Sequence, residues 1–246
     1  MHAGIALTIT FLMWVSAPPN SAAIEEADRL FAYGADHARE KQALEILERA
    51  LSVEPSDYQL LWRTSRSFYY TADGAPAKDK LKYLQRGIEI GQRAVTGNTN
   101  GVEGHFWLGA NWGGYCNEKG GITAFRNVKK VRAEMETVLR LNPAFEEGTA
   151  YMALGEIDRQ LPKLFGGNLD RATSYLEQGL KTAPASVEIK YSLAQAYLDA
   201  KLKDRARREL QESLKLPLST TRTNESRRAQ EKARKLLEKL AIIDAK

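Results

Sequence analysis

The stretches 172-ATSYLEQG-179 and 206-ARRELQES-213 decide the fold of this chain. Each has a small residue, a leucine four positions later and a second small residue three positions after that. The two copies lie 34 residues apart. Positions i, i+4 and i+7 share one face of an α-helix, so each copy predicts a packing stripe. The small residues allow a neighbouring helix backbone to approach closely.

Earlier parts of the chain repeat this stripe at steps of 41 to 44 residues. The copies are Val131, Met135 and Val138; Gly87, Gly91 and Ala94; and Ala43, Leu47 and Ala50. A proline, which cannot continue a helix interior, follows four of the five stripes, at Pro55, Pro143, Pro184 and Pro217. A fixed period of this length, with almost no strand signals, predicts stacked helical hairpins.

The first helix of each predicted hairpin strengthens this interpretation. A large residue followed by a small one recurs at 108–109, 154–155 and 193–194, and Tyr197 adds an aromatic residue. This pattern resembles the tetratricopeptide repeat, a helix–turn–helix unit of about 34 residues. The resemblance implies an all-α, TPR-like helical-hairpin solenoid of about five hairpins with a C-terminal capping helix. The expected units are 24–56, 57–100, 101–145, 146–186 and 187–217, and the cap helix is 223–243.

Several further segments resemble two related families. They are Leu61-Trp62-Arg63, residues 104–111 (GHFWLGAN), Gly120-Gly121-Ile122, Leu141-Asn142-Pro143 and residues 166–172 (GGNLDRA). The chain is similar to the periplasmic T-component of TRAP transporters and to the regulator of microtubule dynamics family. The bacterial resemblance implies a helical scaffold that works with a periplasmic solute-binding protein and offers a groove to a small apolar ligand.

The N-terminus has the features of a secretory signal. Residues 5–15 (IALTITFLMWV) form a mostly apolar run, and small residues lead to Ala23. We expect a signal peptide over 1–23, cleaved near Ala23, and a periplasmic or secreted protein. The alternative is an uncleaved anchor, but this run is shorter than the roughly 20 residues that span a bilayer. We therefore expect no stable membrane span after cleavage.

The chemistry-bearing residues are few. The histidines are His2, His37 and His105, the single cysteine is Cys116, and neither a zinc motif nor a phosphate-binding loop is present. His105 and Cys116 would lie about 16 Å apart on one helix, which is too far for a nucleophile–base pair. The sequence thus predicts no catalytic residues, no metal and no cofactor. The glycine pairs 113–114 and 120–121 are interpreted as turns between helices.

The net charge of +5 comes from basic residues interleaved with acids. A nucleic-acid surface would instead cluster its cations on one face, so we expect no nucleic-acid partner. The charged faces of the last helix are interpreted as a solvated surface.

The inner, concave face of such an array is the candidate site. Residues of the first helices that point away from the packing stripes combine aromatic, charged and amide groups, which suit peptide or small-molecule capture. The predicted binding residues are Trp62, Arg66, Tyr69, Tyr70, Phe106, Trp107, Asn117, Met152, Glu156, Arg159, Gln160, Tyr191 and Gln195. The alternative is that several of these aromatics fill the space between repeats.

Three functions remain open at this point. The leading hypothesis is an exported scaffold that binds a protein partner or peptide segment on its concave face. The second is a periplasmic carrier of a small apolar ligand, accessory to a solute transporter. The third is an enzyme, for which Glu103, Glu156 and Arg159 are the nucleus of titratable groups; we expect that the chain is not an enzyme.

Overall fold

The computed structural model describes residues 20–32, 37–220 and 222–244. Most of the predicted signal peptide lies outside these residues, and Ala23 lies in the first turn of the first helix. Within these ranges eleven α-helices follow one another: α1 Ser21–Ala32, α2 His37–Val53, α3 Tyr58–Gly74, α4 Ala77–Gly97, α5 Val102–Lys119, α6 Gly121–Leu141, α7 Thr149–Gln160, α8 Leu169–Thr182, α9 Val187–Asp199, α10 Lys203–Ser213 and α11 Thr223–Asp244. Short 3-10 turns, Phe145–Gly148 and Lys163–Phe165, flank α7. No strand occurs among these residues.

The helices stack as a solenoid. Each of α1 to α10 packs on its neighbours in sequence, and first helices of successive pairs also meet, α3 on α5 and α7 on α9. Side-chain N-caps start several of these helices: Asp57, Asn168 and Ser186 each accept a hydrogen bond from the backbone N–H three residues later. The predicted all-α solenoid class is confirmed.

The stripes found in the sequence form the seams between helices. They lie on α2, α4, α6, α8 and α10, and all their residues are buried except Ala50, which is partly buried. Small residues are needed at these seams: a Cβ added at Gly179 would meet the Tyr151 Cβ at 3.0 Å, and one at Gly87 would meet the Asn111 Oδ1 at 2.1 Å. The spacing in the sequence therefore reports real helix contacts.

One turn prediction is wrong. Gly113 and Gly114 lie inside α5, where the chain does not turn. A Cβ at Gly114 would lie 2.7 Å from the Leu84 Cδ2, so this glycine allows α4 to pack closely on α5. The turn itself uses Gly120 and Gly121, whose φ angles of +60° and +50° are strained for other residues.

Ionic contacts also join neighbouring helices. The carboxylate of Asp158 on α7 is completely buried and pairs with Arg132 on α6 and Arg171 on α8. Burial alone would raise the pKa of Asp158, but the hydrogen bonds from Arg171 and Arg132 outweigh it and hold the pKa below its usual value. Three consecutive helices are thus fastened at one carboxylate.

The last helix does more than end the array. Ala229, Ala233 and Leu240 of α11 are buried, and the helix packs on α9 and α10. Its Arg228 reaches Asp73 at the end of α3, with 2.8 Å between the Arg228 Nη1 and the Asp73 Oδ2. This contact joins residues 155 positions apart, so α11 bridges back to the second helix pair. None of the described helices has the length and apolarity needed to cross a bilayer.

Candidate functional site

A groove of about 1310 Å³ runs along the inner side of the solenoid. Its lining comes from α3, α5, α6, α7, α9 and α11, together with the turn at 161–165. We call this space the groove. Small residues such as Gly113, Ala124, Ala153 and Ala229 line it, so it is wide because side chains there are short.

One wall of the groove is polar and lies on α7 and α9. Glu156 accepts hydrogen bonds at one carboxylate oxygen, Oε2, from Arg159 at 2.8 Å and from Gln160 at 2.7 Å. Its other oxygen, Oε1, is buried and accepts no hydrogen bond from the described residues. Burial and the neighbouring Glu156 raise the pKa of Tyr191, so its phenol stays protonated and can donate. This wall offers the Tyr191 phenol as a donor, whereas the unpaired Glu156 oxygen is enclosed by protein.

The end of the groove beneath α11 holds a cluster of buried charges. Arg222 lies 3.7 Å from the Glu188 carboxylate and 3.8 Å from the Glu146 carboxylate. Ser226 of α11 donates to Glu188 at 3.1 Å. Burial raises the pKa of Glu146, although Arg222 opposes the shift. The arrangement fixes the start of α11 against α9 and the 3-10 turn before α7.

Strained backbone accompanies this cluster. Glu146 and Glu147 have φ angles of +48° and +54°, which residues with a Cβ rarely adopt. Glu147 accepts a hydrogen bond from the Ser219 hydroxyl at 2.6 Å. The contacts of these two carboxylates with the segment before α11 offset the strain of holding them there.

The opposite end of the groove is apolar. Ile122, Phe125 and Val128 of α6 line it, and Phe165 closes it from the turn after α7. The Phe125 and Phe165 rings lie 4.7 Å apart. The groove therefore has a charged end and an apolar end.

The structure brings eight of the thirteen predicted site residues together. Those that line the groove are Tyr69, Asn117, Met152, Glu156, Arg159, Gln160, Tyr191 and Gln195. They come from four first helices, which is the face that the repeat pattern predicted. Whether they bind a ligand stays a prediction.

The other five predicted residues lie outside the groove lining. Phe106 and Trp107 are 3% and 1% exposed and belong to a core cluster of aromatic rings, so they are not accessible to a ligand. Tyr70 packs between Phe31, Tyr69 and Trp107. These three aromatics fill the space between repeats because the first helices of this chain pack closely through large rings.

Trp62 and Arg66 lie toward the N-terminal end of the array. Arg66 is 6% exposed, donates to Asp28 of α1 at 2.8 Å and stacks on Phe31. Trp62 donates from its indole to Gln59 and is covered by the Arg63 guanidinium, 4.1 Å from the ring centroid. Trp62 therefore contacts residues of its own helix, and Arg66 joins α3 to α1 in this structure.

Sequence reasoning missed the groove residues on α11 and α6. Arg222, Glu225, Arg228 and Lys232 line the groove, although the charged faces of this helix were interpreted as a solvated surface. Residues 225, 228, 229 and 232 are spaced so that they share one face of α11, and this spacing is the signal from which they could have been predicted. Arg222 lies just before the helix. Phe125 and Phe165 were missed because both lie outside the repeat stripes, Phe125 near the start of α6 and Phe165 in the turn after α7.

Among the described residues, no group of three or more histidine, cysteine, aspartate or glutamate side chains is placed to hold a metal ion. His105 has its Nδ1 2.6 Å from Glu134 and its Nε2 3.0 Å from the Thr99 carbonyl. The Cys116 thiol faces the Ala124 carbonyl at 3.7 Å.

Stacked helical hairpins, small-residue seams and an inner groove define a tetratricopeptide-like repeat protein. Solved structures share this fold. A thermophilic TPR protein of Thermus thermophilus, TTC0263, matches with a TM-score of 0.63 and 20% identity over 87% of this chain and 98% of that chain. MamA from Desulfovibrio magneticus RS-1 matches with a TM-score of 0.53 and 14% identity over 79% of this chain and 93% of that chain. At these identities the likeness concerns the fold alone.

The family assignment is more specific. The family Regulator of microtubule dynamics protein 1-3 matches residues 23–241, and the chain belongs to this family. No curated protein sequence matches the chain significantly.

Proposed function

We propose that this protein is a scaffold that holds a segment of a protein partner in the groove. The size of the groove carries the proposal. A volume of about 1310 Å³ exceeds the roughly 300–1,000 Å³ of most small-molecule pockets and suits several residues of a peptide. The charged end and the apolar end suit a segment with both kinds of side chain.

The polar wall supports a peptide ligand. A peptide backbone offers one N–H and one C=O per residue, and each needs a partner when it is buried. The Tyr191 hydroxyl lines the groove and can donate to such a carbonyl. Asn117 and Gln195 add amide groups whose side chains form no hydrogen bond within the described residues.

The same wall argues for binding without chemistry. Three of the four carboxylates that line the groove are engaged by neighbours: Glu156 by Arg159, Asp73 by Arg228 and Glu188 by Arg222. A general acid or base needs a group that is free to exchange a proton with a substrate. Ion pairs already occupy these three carboxylates.

The proposal also covers the export of the chain and the kind of protein that it binds. We propose that residues 1–23 direct the chain to the periplasm or the exterior and are removed near Ala23, because an apolar run precedes small residues there. The partner suggested by the sequence resemblance is a solute-binding protein of a TRAP transporter. Intact mass of the chain recovered from a periplasmic fraction tests the cleavage directly.

The binding proposal is tested by photocrosslinking from inside the groove. A photoreactive amino acid replaces Gln195, and in a control protein it replaces Gln178, which is exposed on α8 outside the groove lining. We expect a protein adduct at position 195 in the native host and none at 178. The double variant Tyr191→Ala, Gln195→Ala should then weaken binding of the identified partner about tenfold or more. Equal adducts at both positions, or none at 195, would contradict the proposal.

A second candidate function has its own observation in its favour. The apolar end around Phe125 and Phe165 suits a small apolar ligand, which would make the protein a carrier. Native mass spectrometry of the purified chain separates the two functions. A small mass that is lost on unfolding supports the carrier, and an empty protein that crosslinks a partner supports the scaffold.

A further inference from the structure

Four large apolar side chains project into solvent at the apolar end of the groove. Ile122 is 67% exposed, Phe125 41%, Leu164 87% and Phe165 51%. They come from two neighbouring turns, the start of α6 and the 3-10 turn after α7, and the Phe125 and Phe165 rings are in contact. We call these four residues the lip. Clustered exposure of large apolar side chains marks an interaction surface, whereas single exposed residues do not.

Basic side chains accompany the lip. Lys119, Arg126, Lys129 and Lys163 are exposed, and none of them forms a side-chain hydrogen bond or ion pair with the described part of the chain. The sequence from 119 to 133 contains no aspartate or glutamate.

Two acids near the lip in sequence already have partners, whereas Asp170, five residues after Phe165, is exposed and forms no ion pair with the described part of the chain. Glu118 pairs with Lys80 at 3.4 Å, and Asp158 is occupied by Arg132 and Arg171. Four unpaired cations therefore accompany one unpaired carboxylate near the lip, which leaves this surface with a positive charge.

Along the axis of α6, two basic side chains lie behind the apolar side chain of Ile122. On α6, Ile122, Arg126 and Lys129 are four and seven residues apart, so they share one face. At 1.5 Å per residue, Lys129 lies about 10 Å behind Ile122 along the helix axis. If the start of α6 points toward a membrane, Ile122 enters first and Lys129 stays about 10 Å further out, near the headgroups.

We infer that the lip docks on an anionic membrane surface, with its apolar side chains inserted and its cations at the lipid phosphates. Protrusion favours a membrane over an acidic peptide. The most exposed side chains, Leu164 and Ile122, stand at the tips of two separate turns. Such tips can enter a deformable bilayer, whereas a helical peptide needs a concave apolar seat. The inference does not rest on the proposed partner in the groove.

Vesicle flotation of the full chain tests the inference. The vesicles consist of phosphatidylcholine alone or of phosphatidylcholine mixed with phosphatidylglycerol. We expect binding to the anionic vesicles, little binding to the neutral ones, and weaker binding as salt increases. Leu164→Asp should reduce binding at least about tenfold. Arg126→Gln together with Lys129→Gln should reduce it about 30-fold, at about fivefold for each cation.

Matched variants control for folding and for general charge. Val53→Asp changes a residue that is 76% exposed at the end of α2, outside the lip, and Lys235→Gln with Lys239→Gln removes two exposed cations of α11. Both controls should bind vesicles like the unaltered protein. Leu164, Arg126 and Lys129 do not line the groove, so crosslinking from position 195 reports partner binding independently.

Two results would overturn the inference. The first is an unaltered protein that ignores anionic vesicles. The second is equal vesicle binding by the lip variants and their controls. If the protein ignores vesicles but binds an acidic amphipathic peptide in solution, and Leu164→Asp abolishes that binding, the lip is a protein-binding surface and the membrane assignment is wrong.

Discussion

At the scale of single residues, Glu40 is the group whose ionisation opposes folding. Its side chain on α2 is buried, and its Oε2 has no hydrogen-bond partner among the described residues. Burial raises the pKa of Glu40 to about 7; Arg66 opposes the shift and Glu225 adds to it. The folded protein thus binds this proton more tightly than the unfolded chain, where the pKa is near 4.5.

The sign of this shift gives the first prediction. The contribution of Glu40 to stability is fully present below about pH 4.5 and is lost as the pH rises toward about 7. Glu40→Gln should remove this loss and raise the free energy of unfolding at pH 8 by up to about 3 kcal/mol. Urea unfolding of both proteins at about pH 5 and about pH 8 measures the effect.

The control for this prediction is Glu48→Gln, which changes an exposed glutamate on the same helix. It should leave the pH dependence of the unfolding free energy unchanged. If Glu40→Gln shows the same pH dependence as the unaltered protein, Glu40 is ionised in the folded state and its burial does not raise its pKa.

At the scale of helices, a polar contact fixes how α3, α4 and α5 pack. Asn111 of α5 is fully buried and donates from its Nδ2 to the Ser65 carbonyl at 3.0 Å and to the Trp107 carbonyl at 2.8 Å. The Ser65 hydroxyl donates to the Gly87 carbonyl at 2.9 Å. The side chain of Asn111 occupies the space that a Cβ at Gly87 would need. The three helices therefore share one buried network.

This network predicts a strong coupling between two substitutions. Gly87→Ala should cost about 2–3 kcal/mol through overpacking, and Asn111→Ala a similar amount through lost hydrogen bonds. The double variant should cost at least about 1 kcal/mol less than the sum, because the new methyl group enters the space left by the amide; residues in contact typically couple by about 0.5–3 kcal/mol. Denaturant unfolding of the three variants gives the coupling.

Gly97→Ala provides the comparison, since no atom lies within 4 Å of a Cβ at this end of α4. This substitution should be neutral or slightly stabilising. Strict additivity of Gly87→Ala and Asn111→Ala would show that the two residues do not share the space.

At the scale of the whole molecule, the sequence predicted the array of helices but not the contact between its last helix and α3. Stripes such as Ala172, Leu176 and Gly179 have a fixed spacing, and local spacing is enough to predict helices and the seams between them. The contact of Arg228 with Asp73 depends on how far the solenoid curves, which no local pattern encodes. For the same reason, the position of residues around each helix correctly predicted that Tyr191 and Gln195 line the groove. It could not distinguish them from Phe106 and Trp107, which are buried between units.

The arrangement of the core leads to a prediction about how this molecule opens. Leu47 belongs to a core cluster built by α1 to α4, and Leu210 to one built mainly by α8 to α11; both side chains are completely buried. Units of a repeat array are stabilised mainly by their neighbours, so a cavity in one cluster should weaken that end first. Leu47→Ala should cost about 2–5 kcal/mol and increase hydrogen exchange in α2 to α4, with little change in α9 and α10.

Leu210→Ala makes the reciprocal test, with faster exchange in α9 to α11 and little change in α2. The bridge from Arg228 to Asp73 is half exposed on the arginine side and should contribute no more than about 1 kcal/mol, which is too little to join the two ends into one cooperative unit. If hydrogen exchange became faster by the same factor along the whole chain in both variants, α11 would couple the two ends more strongly than a surface ion pair can. The groove would then open and close as one body, and a partner bound in it would stabilise both ends equally.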